Sequence, residues 1–110
     1  MTGKYGDYSP TQIHSTKLSI RKAIFFLLLY VDPKTKGEYT GIDVAEAFRN
    51  LQYKLNGLNS ILLEPPELLE TMSLLEEALK VYESECFDFL VYRKLILDAG
   101  SEIMKIKDGD

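Results

Sequence analysis

A cysteine nucleophile with a histidine base is a common catalytic pair, and this sequence of 110 residues contains one cysteine and one histidine. A Cys–His pair would require the fold to bring Cys86 and His14 together. Cys86 lies at helical spacing between Tyr82 and Phe89, so we expect a buried, unreactive thiol. His14 lies near the start of a predicted helix, where the helix dipole disfavours the imidazolium. The sequence therefore predicts no catalytic residues and no enzyme.

Metal and cofactor sites are not indicated either. One Cys and one His cannot build a zinc site from these two residue types alone. The Glu-x-x-His pairs of di-iron bundles are missing, because Thr11 stands three residues before the histidine. Gly37 and Gly41 lack the Gly-Lys-Ser/Thr ending of a phosphate-binding loop. We expect no metal and no cofactor.

Nucleic-acid binding is the alternative function for which the sequence offers a segment. Residues 40–61 begin with a Thr-Gly pair and could form a helix-turn-helix, with residues 53–61 as the recognition helix. That recognition helix supplies one cation, Lys54. The chain has 13 Lys and Arg against 17 Asp and Glu, and this net charge of −4 gives no general attraction to nucleic acid. DNA binding by residues 40–61 is therefore the second hypothesis.

The elements that position these residues are helices. The first is predicted to start after Ser9, with Pro10 at its first position and Gln12 completing a capping box. It should stop near residue 31, before Asp32-Pro33. A basic group lies on one of its faces, which is typical of a solvated surface; it consists of Lys17, Arg21 and Lys22.

A second helix is predicted to start near Ile42, with Thr40 as its cap. Gly57 costs about 1 kcal/mol relative to Ala, so we expect the helix to fray or end there. Its apolar residues recur at alternating spacings of four and three, which predicts a buried heptad seam. The seam comprises Val44, Phe48, Leu51, Leu55, Leu58 and Leu62.

A third helix is predicted to begin at Pro66, because two successive prolines break the chain there. The next glycine, Gly100, suits its end. Residues 66–98 would make a helix of ~50 Å, against ~33 Å for each of the others. The third helix therefore either breaks near residues 84–88 or overhangs its neighbours. Its seam comprises Leu68, Met72, Leu75, Leu79, Tyr82, Cys86 and Phe89.

These elements predict an all-α protein, an antiparallel bundle of three long or four shorter helices. The length suits a single domain, which we place at residues 9–110. Residues 1–8 carry two glycines and no apolar periodicity, so we expect a flexible N-terminal arm. The longest apolar run, residues 23–31, falls short of the ~20 residues that span a membrane. We expect a cytoplasmic protein with a reduced cysteine.

The most apolar segment of the third helix suggests the function. From residue 86 to residue 97 the chain is apolar nearly all round, and an overhang there would need a protein partner or a second copy to cover it. We expect a non-enzymatic bundle, such as an adaptor, chaperone-like protein, inhibitor or assembly component, that binds another protein or forms a homodimer through an apolar helical face. The candidate interface residues are Phe87, Phe89, Leu90, Val91 and Tyr92.

Overall fold

A computed structural model describes residues 2–3, 6–7, 9–62 and 65–106 of the chain. The described residues form four α-helices, which confirms the all-α prediction and settles the open choice between three helices and four. The helices are α1 (Pro10–Leu29), α2 (Val44–Ile61), α3 (Pro66–Glu83) and α4 (Phe89–Ile103).

Two very short strands precede the bundle. The strands β1 (Thr2–Gly3) and β2 (Gly6–Asp7) pair antiparallel, with Thr2 opposite Asp7. They fall within the predicted N-terminal arm, whose flexibility stays a prediction.

The start of α1 is as predicted. Ser9 Oγ accepts a hydrogen bond from the Gln12 backbone N–H at 3.1 Å, and Gln12 Oε1 accepts one from the Ser9 N–H at 2.8 Å. At the other end, the carbonyl of Leu29 accepts from Thr35 Oγ1 at 2.7 Å. This bond satisfies one of the carbonyl groups that the last turn of a helix leaves unpaired.

A 3-10 helix at Lys36–Tyr39 occupies the connection between α1 and α2. The ring of Tyr39 packs edge-on against Tyr30, with centroids 5.1 Å apart. Gly41 follows with φ of 88°, a conformation that a residue without a Cβ adopts without strain. The glycines of this segment therefore belong to a connection that is held against α1.

The cap of α2 is Asp43, whereas the prediction was Thr40. Asp43 Oδ1 accepts from the Glu46 N–H at 3.0 Å, because the helix begins at Val44 and not at Ile42. The helix also continues through Gly57 to Ile61, so the predicted end at this glycine is wrong. One unbroken helix leaves no turn for the proposed helix-turn-helix in residues 40–61, and that geometry is absent from the structure.

The predicted third helix breaks where its length suggested. Asp88 is the N-cap of α4, and its Oδ1 accepts from the N–H groups of Leu90 at 3.0 Å and Val91 at 3.3 Å. The prediction that Gly100 ends the helix is wrong, since α4 runs on to Ile103. Gly100 is instead a buried residue that faces α1.

The four helices form a ring in which each packs against the next and α4 packs against α1. Helices α1 and α4 are antiparallel, because Lys17 near the start of α1 bonds to Ile106 and Leu27 near its end bonds to Tyr92. The predicted seams fill the centre, where Leu55 and Leu75 are fully buried. Two of the grooves between neighbouring helices lie on opposite sides of this ring, one between α1 and α4 and the other between α2 and α3.

Candidate protein-binding face

No catalytic pair forms from the two residues that could have made one. His14 lies near the start of α1. Near the other end of α1, the Leu27 carbonyl accepts a hydrogen bond from Tyr92. The Tyr92 ring in turn packs against Phe87, with ring centroids 5.7 Å apart. About 20 Å of helix separates residues 14 and 27. Cys86, the chain neighbour of Phe87, therefore lies at the opposite end of the bundle from His14.

Cys86 is exposed, which corrects the prediction of a buried thiol. The seam spacing that predicted burial holds only inside a helix, and α3 ends at Glu83. Cys86 therefore belongs to the connection between α3 and α4.

Metal sites and membrane-spanning helices each place structural requirements on the residues that form them. Among the residues that the structure describes, no group of three or more His, Cys, Asp or Glu side chains is placed to hold a metal ion. No helix in the same part of the chain is both long and apolar enough to cross a membrane.

The five predicted interface residues divide into three classes. Leu90 is 73% exposed, and Phe87 and Val91 are also exposed. Phe89 is half-buried, and Tyr92 is fully buried. Phe87, Leu90 and Val91 thus form a small apolar patch at the α3–α4 connection.

Tyr92 belongs to the core, which corrects its assignment as an interface residue. Its side chain falls on the buried stripe of α4, four residues before Ile96, and its ring packs edge-on against Phe48 with centroids 6.2 Å apart. Its hydroxyl donates a hydrogen bond to the Leu27 carbonyl near the end of α1. Burial raises the pKa of Tyr92 well above its usual range, and the nearby phenol of Tyr82 raises it further.

A second apolar surface lies on the outer side of α1. Leu18 is 44% exposed and Phe25 is 37% exposed, seven residues apart and so on one side of the helix. The Arg21 guanidinium carbon lies 5.5 Å from the centroid of the Phe25 ring, within the range of a cation–π interaction. We call this surface the α1–α4 face; its principal residues are Leu18, Arg21, Lys22, Phe25, Leu97 and Met104.

The α4 side makes this face concave. A depression between the two helices is lined by Arg21 and Phe25 of α1 and, on the α4 side, by Leu97, Gly100, Ser101 and the C-cap Met104. A Cβ at Gly100 would lie 4.0 Å from the nearest side-chain atoms of α1, so the missing side chain leaves a shallow floor. The α1–α4 face is therefore a shallow apolar groove.

The predicted basic group on α1 divides between the interior and this face. Lys17 is buried, and its ammonium donates to the carbonyl of Ile106, which corrects its assignment to a solvated face. The aliphatic stem of a lysine can be buried while its charge meets a carbonyl beyond the end of a helix. Arg21 and Lys22 are exposed, as predicted.

The carboxylates of α4 do not neutralise Arg21 and Lys22. Asp98 pairs with Lys94 at 2.9 Å, and Glu102 pairs with Lys105 at 2.9 Å and raises the pKa of that lysine. No acidic side chain within the described ranges forms an ion pair with either cation of the face.

The α2–α3 groove on the opposite side has a different lining. Gln52 Nε2 donates to the Met72 carbonyl across it at 3.0 Å, whereas the buried Gln52 Oε1 has no partner among the residues described. Charged residues of both signs, Arg49 and Glu76, lie along its edges. Tyr53 also lies there and is 83% exposed.

The sequence of α1 contains a signal for the α1–α4 face. The residues of α1 that pack in the core include Ile20, Ile24 and Leu27. Leu18 and Phe25 fall outside that spacing and form a second apolar stripe with Leu29. Two stripes on one helix predict a core side and a second apolar contact.

The fold and this face define a small four-helix bundle that carries an apolar groove edged by positive charge. No protein-family model matches the chain, and no curated protein or solved structure is significantly similar to it.

Proposed function

We propose that this protein is a small non-enzymatic binding protein that recognises another protein through its α1–α4 face. The observation that carries the proposal is the stripe of Leu18 and Phe25, which is exposed although the opposite side of the same helix is packed in the core. Exposed apolar side chains that cluster, and do not occur singly, are typical of interaction surfaces.

The shape of the face favours a helix as the element that binds. A groove between two helices accepts a third helix, which places its apolar side chains in the groove at intervals of three, four and seven residues. Leu18 and Phe25 are about 10.5 Å apart along α1, which is about two helical turns. A helix laid along the groove would contact both residues and also Leu97 and Met104.

A second copy of the chain is the alternative partner. Phe87, Leu90 and Val91 at the α3–α4 connection were predicted as an interface and stay exposed in a single chain. Light scattering tests this homodimer. A mass of twice the chain that Leu90→Glu converts to that of one chain supports it, and a single-chain mass at high concentration contradicts it.

We propose a cytoplasmic location for this activity. The thiol of Cys86 is exposed and free. Free thiols are typical of reducing compartments such as the cytosol, whereas oxidising compartments favour disulfides. Staining of cells that express the tagged chain tests this location, and a signal confined to the periplasm or the medium contradicts it.

Photo-crosslinking in the native cell tests the binding proposal. The photoreactive residue p-benzoylphenylalanine is placed at Phe25 in one variant and at Tyr53, in the opposite groove, in the other. Both side chains are exposed, so both variants should fold. We expect a discrete covalent adduct from position 25 and none from position 53. Adducts at neither position, or only at 53, would contradict the proposal.

A further inference from the structure

We infer that the partner of the α1–α4 face is an acidic amphipathic helix, an inference that rests on the proposed function. The face carries local positive charge on a protein whose net charge is −4. Arg21 and Lys22 supply that charge, and no carboxylate in the described part of the chain pairs with either of them. A partner that places acidic residues beside its apolar stripe therefore complements this face.

The position of Arg21 makes it suited to such a contact. Its guanidinium lies over the Phe25 ring, at the boundary between the apolar groove and solvent. A guanidinium is more weakly hydrated than an ammonium and can donate two parallel hydrogen bonds to one carboxylate. Stacking on Phe25 restricts its motion before binding, which reduces the entropy lost when a carboxylate is bound.

The order of residues along α1 also specifies the pattern of the partner. Arg21 and Lys22 lie between Leu18 and Phe25, within one turn of each. The partner helix should carry apolar residues seven positions apart. Its Asp or Glu residues should lie beside the two helical turns that separate those apolar residues.

Two other occupants fit the charges less well. An anionic membrane surface is usually bound by clusters of about four to eight cations, whereas this face has two on an acidic protein. A symmetric contact of the α1–α4 face with a second copy would offer the α4 carboxylates Asp98 and Glu102, and these are already paired with Lys94 and Lys105. Both occupants are distinguished by the test that follows.

The probes are two fluorescein-labelled helical peptides of about 18 residues, which is five turns. Both carry leucines at positions i, i+3, i+4 and i+7 and a hydrocarbon staple on the opposite side. The flanking residues are Glu in one peptide and Lys in the other. Fluorescence anisotropy with the full chain should show that the Glu peptide binds at least about tenfold more tightly, and that the difference shrinks as salt rises.

Variants locate the contact. The double variant Arg21→Glu/Lys22→Glu should reverse the preference, so that the Lys peptide binds more tightly. Phe25→Ser should weaken both peptides, since it removes the apolar contact. Arg49→Glu is the matched control: it reverses one exposed charge in the α2–α3 groove and should change neither affinity. Circular dichroism verifies that each variant is folded.

The outcomes separate this inference from the proposed function. Equal affinity for the two peptides overturns the charge inference, but an adduct from position 25 would still support a protein partner. No binding of either peptide, together with such an adduct, overturns the helical partner alone. If that adduct has twice the mass of the chain, a second copy replaces the acidic helix. Binding to phosphatidylserine vesicles without an adduct at position 25 overturns both proposals.

Discussion

The two grooves on opposite sides of the ring are each formed by a pair of α-helices, but they differ in where hydrogen bonds join the two helices. In the α2–α3 groove, the Gln52 amide bonds to Met72 on the neighbouring helix, and polar side chains line one wall. In the α1–α4 groove, Lys17 and Tyr92 join the two helices near the two ends of the groove. The middle contains no such polar bridge among the contacts that the structure describes.

The position of the hydrogen bonds accounts for the difference between the grooves. Bonds near both ends fix the spacing of α1 and α4, and the intervening residues, Phe25 and Leu97 among them, need no polar partner. The α1–α4 groove is therefore preformed, which reduces the cost of ordering it when a partner binds. The α2–α3 groove also exposes apolar residues such as Leu69, and it differs in the hydrogen bond that crosses it.

The largest effect is expected at the core that separates the two grooves. Leu75 is fully buried in α3, whereas Leu69 of the same helix is exposed in the wall of the α2–α3 groove. Leu75→Glu should lower the free energy of unfolding by about 3–5 kcal/mol, because a carboxylate loses its hydration. Leu69→Glu, the matched control, should change it by less than about 0.5 kcal/mol. Urea unfolding measures both; equal effects would show that the ring does not divide the grooves in this way.

A smaller loss is expected when one of the bonds near the ends of the α1–α4 groove is removed. Tyr92→Phe keeps the ring but leaves the buried carbonyl of Leu27 without the hydroxyl, at a cost of about 1–3 kcal/mol. Thermal and urea unfolding measure the loss. An unchanged stability would mean that this bond does not hold α1 against α4.

The same residue gives a pH dependence with a defined sign. The unfolded phenol titrates near its ordinary pKa of about 10, whereas burial holds the pKa of the folded phenol above that value. The contribution of Tyr92 is therefore complete below pH 10 and is lost as the pH rises towards the raised pKa, by about 1.4 kcal/mol per pH unit. Tyr92→Phe should show a shallower decline over this range. Parallel curves for the two proteins would contradict the assignment.

The buried core beneath the two grooves could be predicted from the sequence, because buried positions follow the helical repeat. The seam of α2, which includes Phe48 and Leu55, is buried almost throughout, and the capping box of α1 is formed as predicted. Local rules of this kind depend only on residues within one or two turns of each other.

The predictions that were wrong depend on tertiary contacts. Cys86 fits the seam spacing, but the helix ends before reaching it. Lys17 fits a solvated face by its type, but its ammonium donates a hydrogen bond to the carbonyl of Ile106, which is distant in sequence. Tyr92 lies in the most apolar segment, and only the packing of α4 decides that it faces inward. The second apolar stripe of α1 indicates a contact surface, but the groove also needs α4 beside it and could not be identified from one helix.

Removing the polar bridge should reveal its net effect on the α2–α3 groove. Gln52→Leu loses the hydrogen bond to the Met72 carbonyl, worth about 1 kcal/mol, but also removes the buried Oε1 that has no described partner. These effects oppose each other, so the stability should stay within about 1 kcal/mol of the wild type, on the more stable side. A loss of about 2 kcal/mol or more in urea unfolding would show that the bridge is essential to this groove.

The smallest effects are expected at two glycines, one on each side of the comparison. Gly100 forms the floor of the α1–α4 groove, where a Cβ would meet its nearest neighbours at 4.0 Å, and Gly57 lies in α2 with nothing within 4 Å. Each substitution by alanine should stabilise its helix by about 0.5–1 kcal/mol, because glycine loses more backbone entropy on folding. Gly100→Ala should also weaken the acidic peptide measurably, since the new methyl group makes the groove shallower, whereas Gly57→Ala should not. If both variants bind the peptide as the wild type does, the groove floor is not part of the contact, and the partner touches α1 alone.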